Sequence, residues 1–213
     1  MRHRYAALTL GSLALIAIVL LDRGVVGHRP LVVHGIGDEG AHALTACLWI
    51  VGAGVAGVRV VPLAALLGAT VIDLDHIPLI LDWTSSPPGT SRPETHSLIV
   101  LGLLLLLAGW DRSRRMWWGS AALGVASHLW RDLGTGAVVL WWPYSSRAVG
   151  IPYGVYLVGV AAVFVGAVFW GMRARRERAG AVDHPVPVGD GQRTHAPITE
   201  REQAGVSPPV HPS

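Results

Sequence analysis

Apolar residues along this chain fall into long blocks and not into the stripes of a helix that shows one face to water. The first block runs from Ala6 to Leu21, behind a basic start of Arg2, His3 and Arg4, and stops at Asp22-Arg23. No Ala-x-Ala-like cleavage signal follows it, so it reads as an uncleaved anchor. The second block covers Ala41 to Val58, and the third Val60 to Leu81 with Pro62 near its start. The fourth is Ser97 to Trp110, the fifth Met116 to Trp130 and the sixth Ile151 to Met172. Roughly 20 mainly apolar residues carry a helix across the hydrocarbon core, and fewer suffice where flanking groups snorkel or the bilayer thins. The pattern predicts an all-α polytopic membrane protein of about six transmembrane helices.

Past Met172 the pattern changes. Arg173, Arg175, Arg176 and Arg178 come first, then a stretch rich in proline, glycine and charge that runs to Ser213. Such a stretch buries too little apolar surface to offset the cost of ordering its backbone. The expected division is a membrane-embedded helical part, 1–172, and a disordered cytoplasmic tail, 173–213.

Composition sharpens this picture. Of 213 residues, 51% are hydrophobic and 15% charged, against about a quarter charged in soluble domains. That excludes an ordinary cytosolic enzyme and a wholly disordered chain. All 17 basic residues are arginine. With six crossings, ten arginines (Arg2, Arg4, Arg59, Arg112, Arg114, Arg115 and the four from Arg173 to Arg178) fall on the side of the termini. Five (Arg23, Arg29, Arg92, Arg131 and Arg147) fall on the other. The positive-inside rule then places both termini in the cytoplasm. The net charge of +3 is therefore a topology signal, and no nucleic-acid partner is expected. The single cysteine, Cys47, excludes an internal disulfide and a cysteine-based zinc site. Its place mid-helix suggests a small packing residue. Trp117, Trp118, Trp141, Trp142 and Tyr144 read as interfacial anchors.

Ionisable groups in or beside spans cost about 2.5–3.5 kcal/mol each on insertion scales and are functional candidates by default. Four clusters carry them: Asp38-Glu39-Gly40-Ala41-His42 at the start of the second helix, Asp73-Leu74-Asp75-His76 toward the end of the third, Glu94-Thr95-His96-Ser97 before the fourth, and Ser127-His128-Leu129-Trp130-Arg131-Asp132 closing the fifth. The helix directions bring all four to the extracytoplasmic face. Neutral imidazole and carboxylate suit Zn, with Mn or Fe as alternatives. His128 and Asp132 are spaced i,i+4 and share a helix face; Asp73 and His76 share one at i,i+3. Asp75 joins them only if the helix loosens before Pro78. The donors exceed what one tetrahedral ion needs, so one or two ions fit. Plainer readings stand beside this one. His42 and His96 suit interfacial positions, Thr95 suits a helix cap, Asp73 and Asp75 suit a proton or ion relay, and Arg92 and Arg131 suit snorkelling. Glu39, Glu94 and His34 are further possible ligands.

Taken in order, Asp73-Leu74-Asp75-His76, Thr95-His96-Ser97-Leu98, Ser127-His128-Leu129-x-x-Asp132-x-x-Thr135 and Leu140-x-Trp142-Pro143 resemble a family of bacterial inner-membrane, metal-dependent hydrolases of the LexA-regulated type. The resemblance covers roughly 38–172, and Gly40-Ala41-His42-Ala43 matches the histidine that opens the family pattern. It extends loosely to zinc-dependent phospholipases C through His128-x-x-x-Asp132. Two positions depart from it: Ser91 replaces a histidine before Arg92, so one family ligand is missing, and Ile72 replaces a proline before Asp73.

The sequence thus leads to a membrane-bound metal-dependent hydrolase that cleaves a phosphoester of a lipid or lipid-linked substrate. His42, Asp75, His76, His96, His128 and Asp132 are the expected ligands. Asp73 is expected as a ligand or as the carboxylate that orients one, and Arg92 as the group that stabilises transition-state charge. The rival is a metal-ion or proton-coupled transporter using the same residues. It would need polar groups continuing toward the cytoplasmic face, where these helices are almost wholly apolar.

Overall fold

Among the described residues, proline and glycine punctuate the chain into seven helices and one tight turn. In this computed structural model residues 2–25, 31–81, 83 and 92–182 are described. They form α1 (Arg2–Val25), α2 (Leu31–Val55), α3 (Pro62–Thr70), a 3-10 turn (Val71–Asp75), α4 (His76–Ile80), α5 (Leu98–Trp110), α6 (Arg115–Thr135) and α7 (Tyr153–Val182). No strand occurs among the described residues, only an isolated bridge between Val138 and Val149.

Several boundaries differ from the sequence pattern. α2 starts at Leu31 and not near Ala41, so Asp38 and His42 lie inside a helix and not at its mouth. Its glycine-dotted first half lacks an apolar run, and tertiary contacts of Asp38 and His42 hold it helical. α2 ends on Gly57, whose φ of +85° is open to glycine without strain. The Val58 amide donates back to Ala53 at 2.9 Å, the closing bond of a Schellman cap. The third block is not one helix. Pro78 has no amide to donate to Leu74 and its ring crowds that carbonyl; the preceding residues tighten into the 3-10 turn. α6 continues past Trp130 to Thr135, which makes Arg131 and Asp132 helical. α7 runs on through the arginines to Val182. Residues 183–213 of the expected tail lie outside the described residues, as does the side chain of His34.

α2 and α6 are the central pair. α6 packs on α3, α5, α2 and α7, while α2 also packs on α1, α3 and α7. Ile18, Leu48, Tyr156, Val160, Phe164 and Val168 form the apolar core where α1, α2 and α7 meet. Within it the Thr45 and Tyr156 hydroxyls pair at 2.9 Å. The α3–α6 crossing is the tightest. A β-carbon on Gly124 would fall 1.9 Å from the Ala65 carbonyl oxygen, and one on Gly68 would fall 2.3 Å from that of Ala121. Small residues let these two backbones touch. Ser120 Oγ fastens the same crossing by accepting the Val61 amide at 2.8 Å.

The outer surface is apolar and the interior holds the polar groups. Leu10, Leu13 and Ile16 on α1, Leu105 and Leu106 on α5, and Val158, Phe169 and Trp170 on α7 are exposed. His42, Thr45, His96, Ser97, Ser127, His128, Arg131 and Asp132 are buried. Among the described residues one helix, Tyr153–Ala174, is long and apolar enough by length and composition to cross a membrane; Leu98–Trp110 is apolar but shorter. Cys47 is exposed on α2 and does not pack in the interior, which corrects the expectation drawn from its mid-helix position.

The crossing yields a paired expectation. Gly124→Ala gains helix propensity yet must push two backbones apart, so a net loss of about 1–3 kcal/mol is expected. Gly102→Ala, with nothing within 4 Å of the added carbon, should be neutral or stabilising by up to about 1 kcal/mol. Thermal unfolding of both variants in detergent tests this contrast, and equal effects would refute the close-packing account.

Candidate metal centre

The α3–α6 contact delivers the first ligands. One turn after Gly124, His128 reaches across the crossing, and its Nδ1 lies 2.7 Å from the Ala69 carbonyl oxygen. A carbonyl only accepts, so Nδ1 carries the proton and Nε2 presents a lone pair to the interior. Asp132, one turn further, places Oδ2 at 3.0 Å from that Nε2. Directly beyond Thr70 the 3-10 turn swings Asp73 and Asp75 to the same place. Asp73 Oδ1 stands 3.0 Å from His96 Nε2 and Asp75 Oδ2 3.3 Å from His96 Nδ1. His76 Nδ1 lies 3.3 Å from Asp73 Oδ1 and 3.2 Å from Asp75 Oδ1. The loosened helix thus lets Asp75 share the face of Asp73 and His76, the condition set by Pro78 in the sequence.

His96 enters from the turn before α5. That turn is tied down by the Leu98 amide, which donates to Leu140 at 2.9 Å. Ser97 and not Thr95 is the residue at the helix N-cap, and no side-chain cap bond forms there. His42 comes from α2 and stacks on His128, with ring centres 3.8 Å apart and planes 10° apart. Its Nε2 is 3.3 Å from Asp132 Oδ1 and 3.7 Å from Asp73 Oδ2. All seven histidines and aspartates singled out in the sequence therefore meet in one cluster.

The cluster is buried and short of hydrogen bonds. Each of the seven has at least one buried nitrogen or oxygen without a hydrogen-bond partner: both ring nitrogens of His42, both oxygens of Asp75 and Asp132, Asp73 Oδ2, His76 Nδ1, His96 Nδ1 and His128 Nε2. Unmade hydrogen bonds on buried polar atoms are costly, and these atoms face one another with donor geometry suited to a cation. Three overlapping sets have ligand atoms within 4.8 Å of one another: Asp73, Asp75, His76 and His96; His42, His128 and Asp132; and Asp38, His42 and Asp73. The residues present fit a divalent ion. Burial alone opposes a charged imidazole at His96, but its hydrogen bond to Asp73 and the neighbouring carboxylates of Asp75 and Asp132 outweigh it and raise the pKa to about 9. A cation entering there displaces that proton.

Arg92, the expected anion partner, forms an ion pair with Asp132 Oδ1 at 2.9 Å and lies 3.8 Å from Asp38 Oδ2, so it stands at the cluster edge. Arg131 is not a snorkelling residue. It is buried in α6 and reaches Asp22 of α1 and Asp38 of α2 at 2.6 Å each. Tyr153 of α7 donates to the other oxygen of Asp22 at 2.7 Å. Glu39 lies within hydrogen-bonding reach of Asp73, but neither it nor Glu94 belongs to the three ligand sets. Sequence reasoning passed over Asp38 and Asp22. Asp38 had a signal, since it precedes His42 by four residues, the spacing that singled out His128 and Asp132. Asp22 had none beyond ending the first apolar block.

Removing the guanidinium of Arg131 leaves Asp22 without its cation and Asp38 with only the more distant Arg92. Arg131→Ala should cost about 3–5 kcal/mol, and Tyr153→Phe, which removes one hydrogen bond, about 1 kcal/mol. Denaturant titration ranks the two, and a tolerated Arg131→Ala would contradict the network's role in joining α1, α2 and α6.

No curated protein and no solved structure matches the chain. A family model described as the YdjM inner membrane protein matches residues 38–186. The match opens at Asp38 and contains all seven clustered residues and both arginines that border them. The chain belongs to the YdjM inner membrane protein family.

Proposed function

We propose that this inner-membrane protein is a metal-dependent hydrolase acting on a phosphoester of a lipid or lipid-linked substrate. The observation that carries the reading is the convergence of His42, Asp73, Asp75, His76, His96, His128 and Asp132, each with a buried atom lacking a hydrogen-bond partner. A divalent ion bound there lowers the pKa of water and polarises a phosphoryl oxygen. The chain's own groups supply the rest. The Ala69 carbonyl fixes the tautomer of His128. Asp73 orients His96 and His76. Arg92 sits at the edge, where a guanidinium offers paired donors to a phosphate. Zn suits the donor set best, with Mn and Fe also compatible. An apolar exterior around a polar site favours a substrate that arrives through the lipid phase.

The topology belongs to the same proposal. Six crossings place both termini in the cytoplasm and the cluster at the extracytoplasmic face. Support comes from the arginine distribution and from exposed apolar side chains on α1, α3, α5 and α7. In a Cys47→Ser background, Tyr144→Cys should react with a membrane-impermeant maleimide in intact cells. Arg114→Cys should react only after permeabilisation. The reverse pattern would invert the orientation.

Chemistry is tested on the purified full chain. After loading with Zn(II) or Mn(II), the wild type should hold stoichiometric metal and hydrolyse bis(p-nitrophenyl) phosphate. His96→Ala and His128→Ala should lose both properties. Arg92→Ala should keep the metal and lose about 10²–10³-fold in turnover. A wild type without stoichiometric metal, or histidine variants that bind it as well as wild type does, would sink the proposal.

A further inference from the structure

Two carboxylates in the cluster divide their oxygens between different partners. Asp73 turns Oδ1 to His96 at 3.0 Å, to His76 at 3.3 Å and more distantly to His128 at 3.5 Å, and Oδ2 to His42 at 3.7 Å. Asp132 turns Oδ2 to His128 at 3.0 Å and to His96 at 3.5 Å, and Oδ1 to His42 at 3.3 Å. One side therefore gathers Asp75, His76 and His96, and the other gathers around His42. His42 is fully buried, and neither of its ring nitrogens has a hydrogen-bond partner. A buried imidazole with both nitrogens unmet points to a ligand of its own.

Asp38 stands on the His42 side. Its Oδ1 accepts from Arg131 at 2.6 Å, while Oδ2 faces the cluster, 4.0 Å from His42 Nε2. Ligand atoms of Asp38, His42 and Asp73 lie within 4.8 Å of one another, as do those of Asp73, Asp75, His76 and His96. Asp73 is the residue common to both sets. Eight residues exceed the four or five donors that one borderline ion takes, and a carboxylate that shows one oxygen to each set is the usual bridge between paired ions.

We propose that the cluster is a two-ion centre. Asp75, His76 and His96 hold one divalent cation; Asp38, His42 and His128 hold the other; Asp73 and Asp132 bridge them. Asp38 is thereby a metal ligand, and Arg131 is a positioning residue that aims its free oxygen. Charge supports the pairing. The carboxylates of Asp22, Asp38, Asp73, Asp75 and Asp132 outnumber the arginines paired with them, Arg92 and Arg131, and once the proton on His96 is displaced the excess calls for bound cations in a low-dielectric interior. The inference rests on the metal-centre reading and goes beyond it in number and ligand set.

The test is a titration of the purified full chain, stripped with chelator and reloaded with Mn(II). Bound ions are counted by elemental analysis and their exchange coupling is read by electron paramagnetic resonance. Wild type should hold two coupled ions per chain. Asp38→Asn still accepts from Arg131 but should weaken the second ion at least about tenfold and show the spectrum of an isolated ion. Asp38→Glu should restore the pair. His76→Ala, on the half-buried rim of the other side, should likewise leave one uncoupled ion, which keeps the test open if Asp38→Asn fails to fold. A wild type holding one ion, or an Asp38→Asn protein holding two coupled ions, overturns the two-ion proposal and leaves a metal centre standing. A wild type that binds neither Mn(II) nor Zn(II) overturns both.

Discussion

At the α3–α6 crossing, the carbonyl oxygens of Ala65 and Ala121 occupy the space that a β-carbon on Gly124 or Gly68 would need. Backbones this close fix the rotation and the depth of each helix against the other, because there is no side-chain layer to adjust. Two consequences follow within a single turn. His128 comes near enough to Ala69 to spend its Nδ1 proton on a backbone carbonyl. The chain leaving α3 then has to enter the cluster at once, and Pro78 ensures that it does so as a 3-10 turn. Five of the seven clustered residues (Asp73, Asp75, His76, His128 and Asp132) depend on that one contact for position.

Electrostatics explains why the remaining helices must lie where they do. Four aspartates in the cluster region and Asp22 are far more negative than a protein interior tolerates unpaired. Arg131 answers part of this by reaching Asp22 and Asp38 from one guanidinium, which pins α1 and α2 to α6. Tyr153 then attaches α7 to the same carboxylate of Asp22. A network of this kind is poor evidence of net stability, since burying charge is costly. It does restrict geometry: moving α1, α2 or α6 strands a charge, and moving α7 takes a hydrogen bond from Asp22. His42 inherits its position from this frame, because it lies one turn from Asp38 on α2.

The sequence made the cluster legible through residue type and spacing more than through helix boundaries. Asp73, His76, His96, His128 and Asp132 are ionisable groups set in apolar blocks, and only a shared polar site relieves the cost of each. The second helix begins ahead of its apolar block because Gly35, Gly37, Asp38, Glu39 and Gly40 carry no apolar pattern, and their helical form depends on contacts with Arg131 and the cluster. The break in the third block leaves no mark in the sequence pattern, because Leu74, Ile77 and Leu79 stay apolar through the 3-10 turn and beyond it. Asp38 carries the same i,i+4 signal toward His42, but its longer-range partners Arg131 and Arg92 are invisible in one dimension. Length and composition single out α7 alone as a span among the described residues, because glycine and polar residues dilute α2 and α6 where they pack inward.

The two arginines beside the cluster show how a fold separates structure from chemistry with one side-chain type. Arg131 has both terminal nitrogens committed to different carboxylates and is almost wholly buried, so an incoming anion would have to break two short ion pairs. Arg92 holds Asp132 closely and Asp38 loosely, and it keeps a partial exposure of 11%. A cation held by Asp132 would compete for the carboxylate that Arg92 contacts and weaken that ion pair. The guanidinium is then the group at the rim with most to gain from an anionic partner.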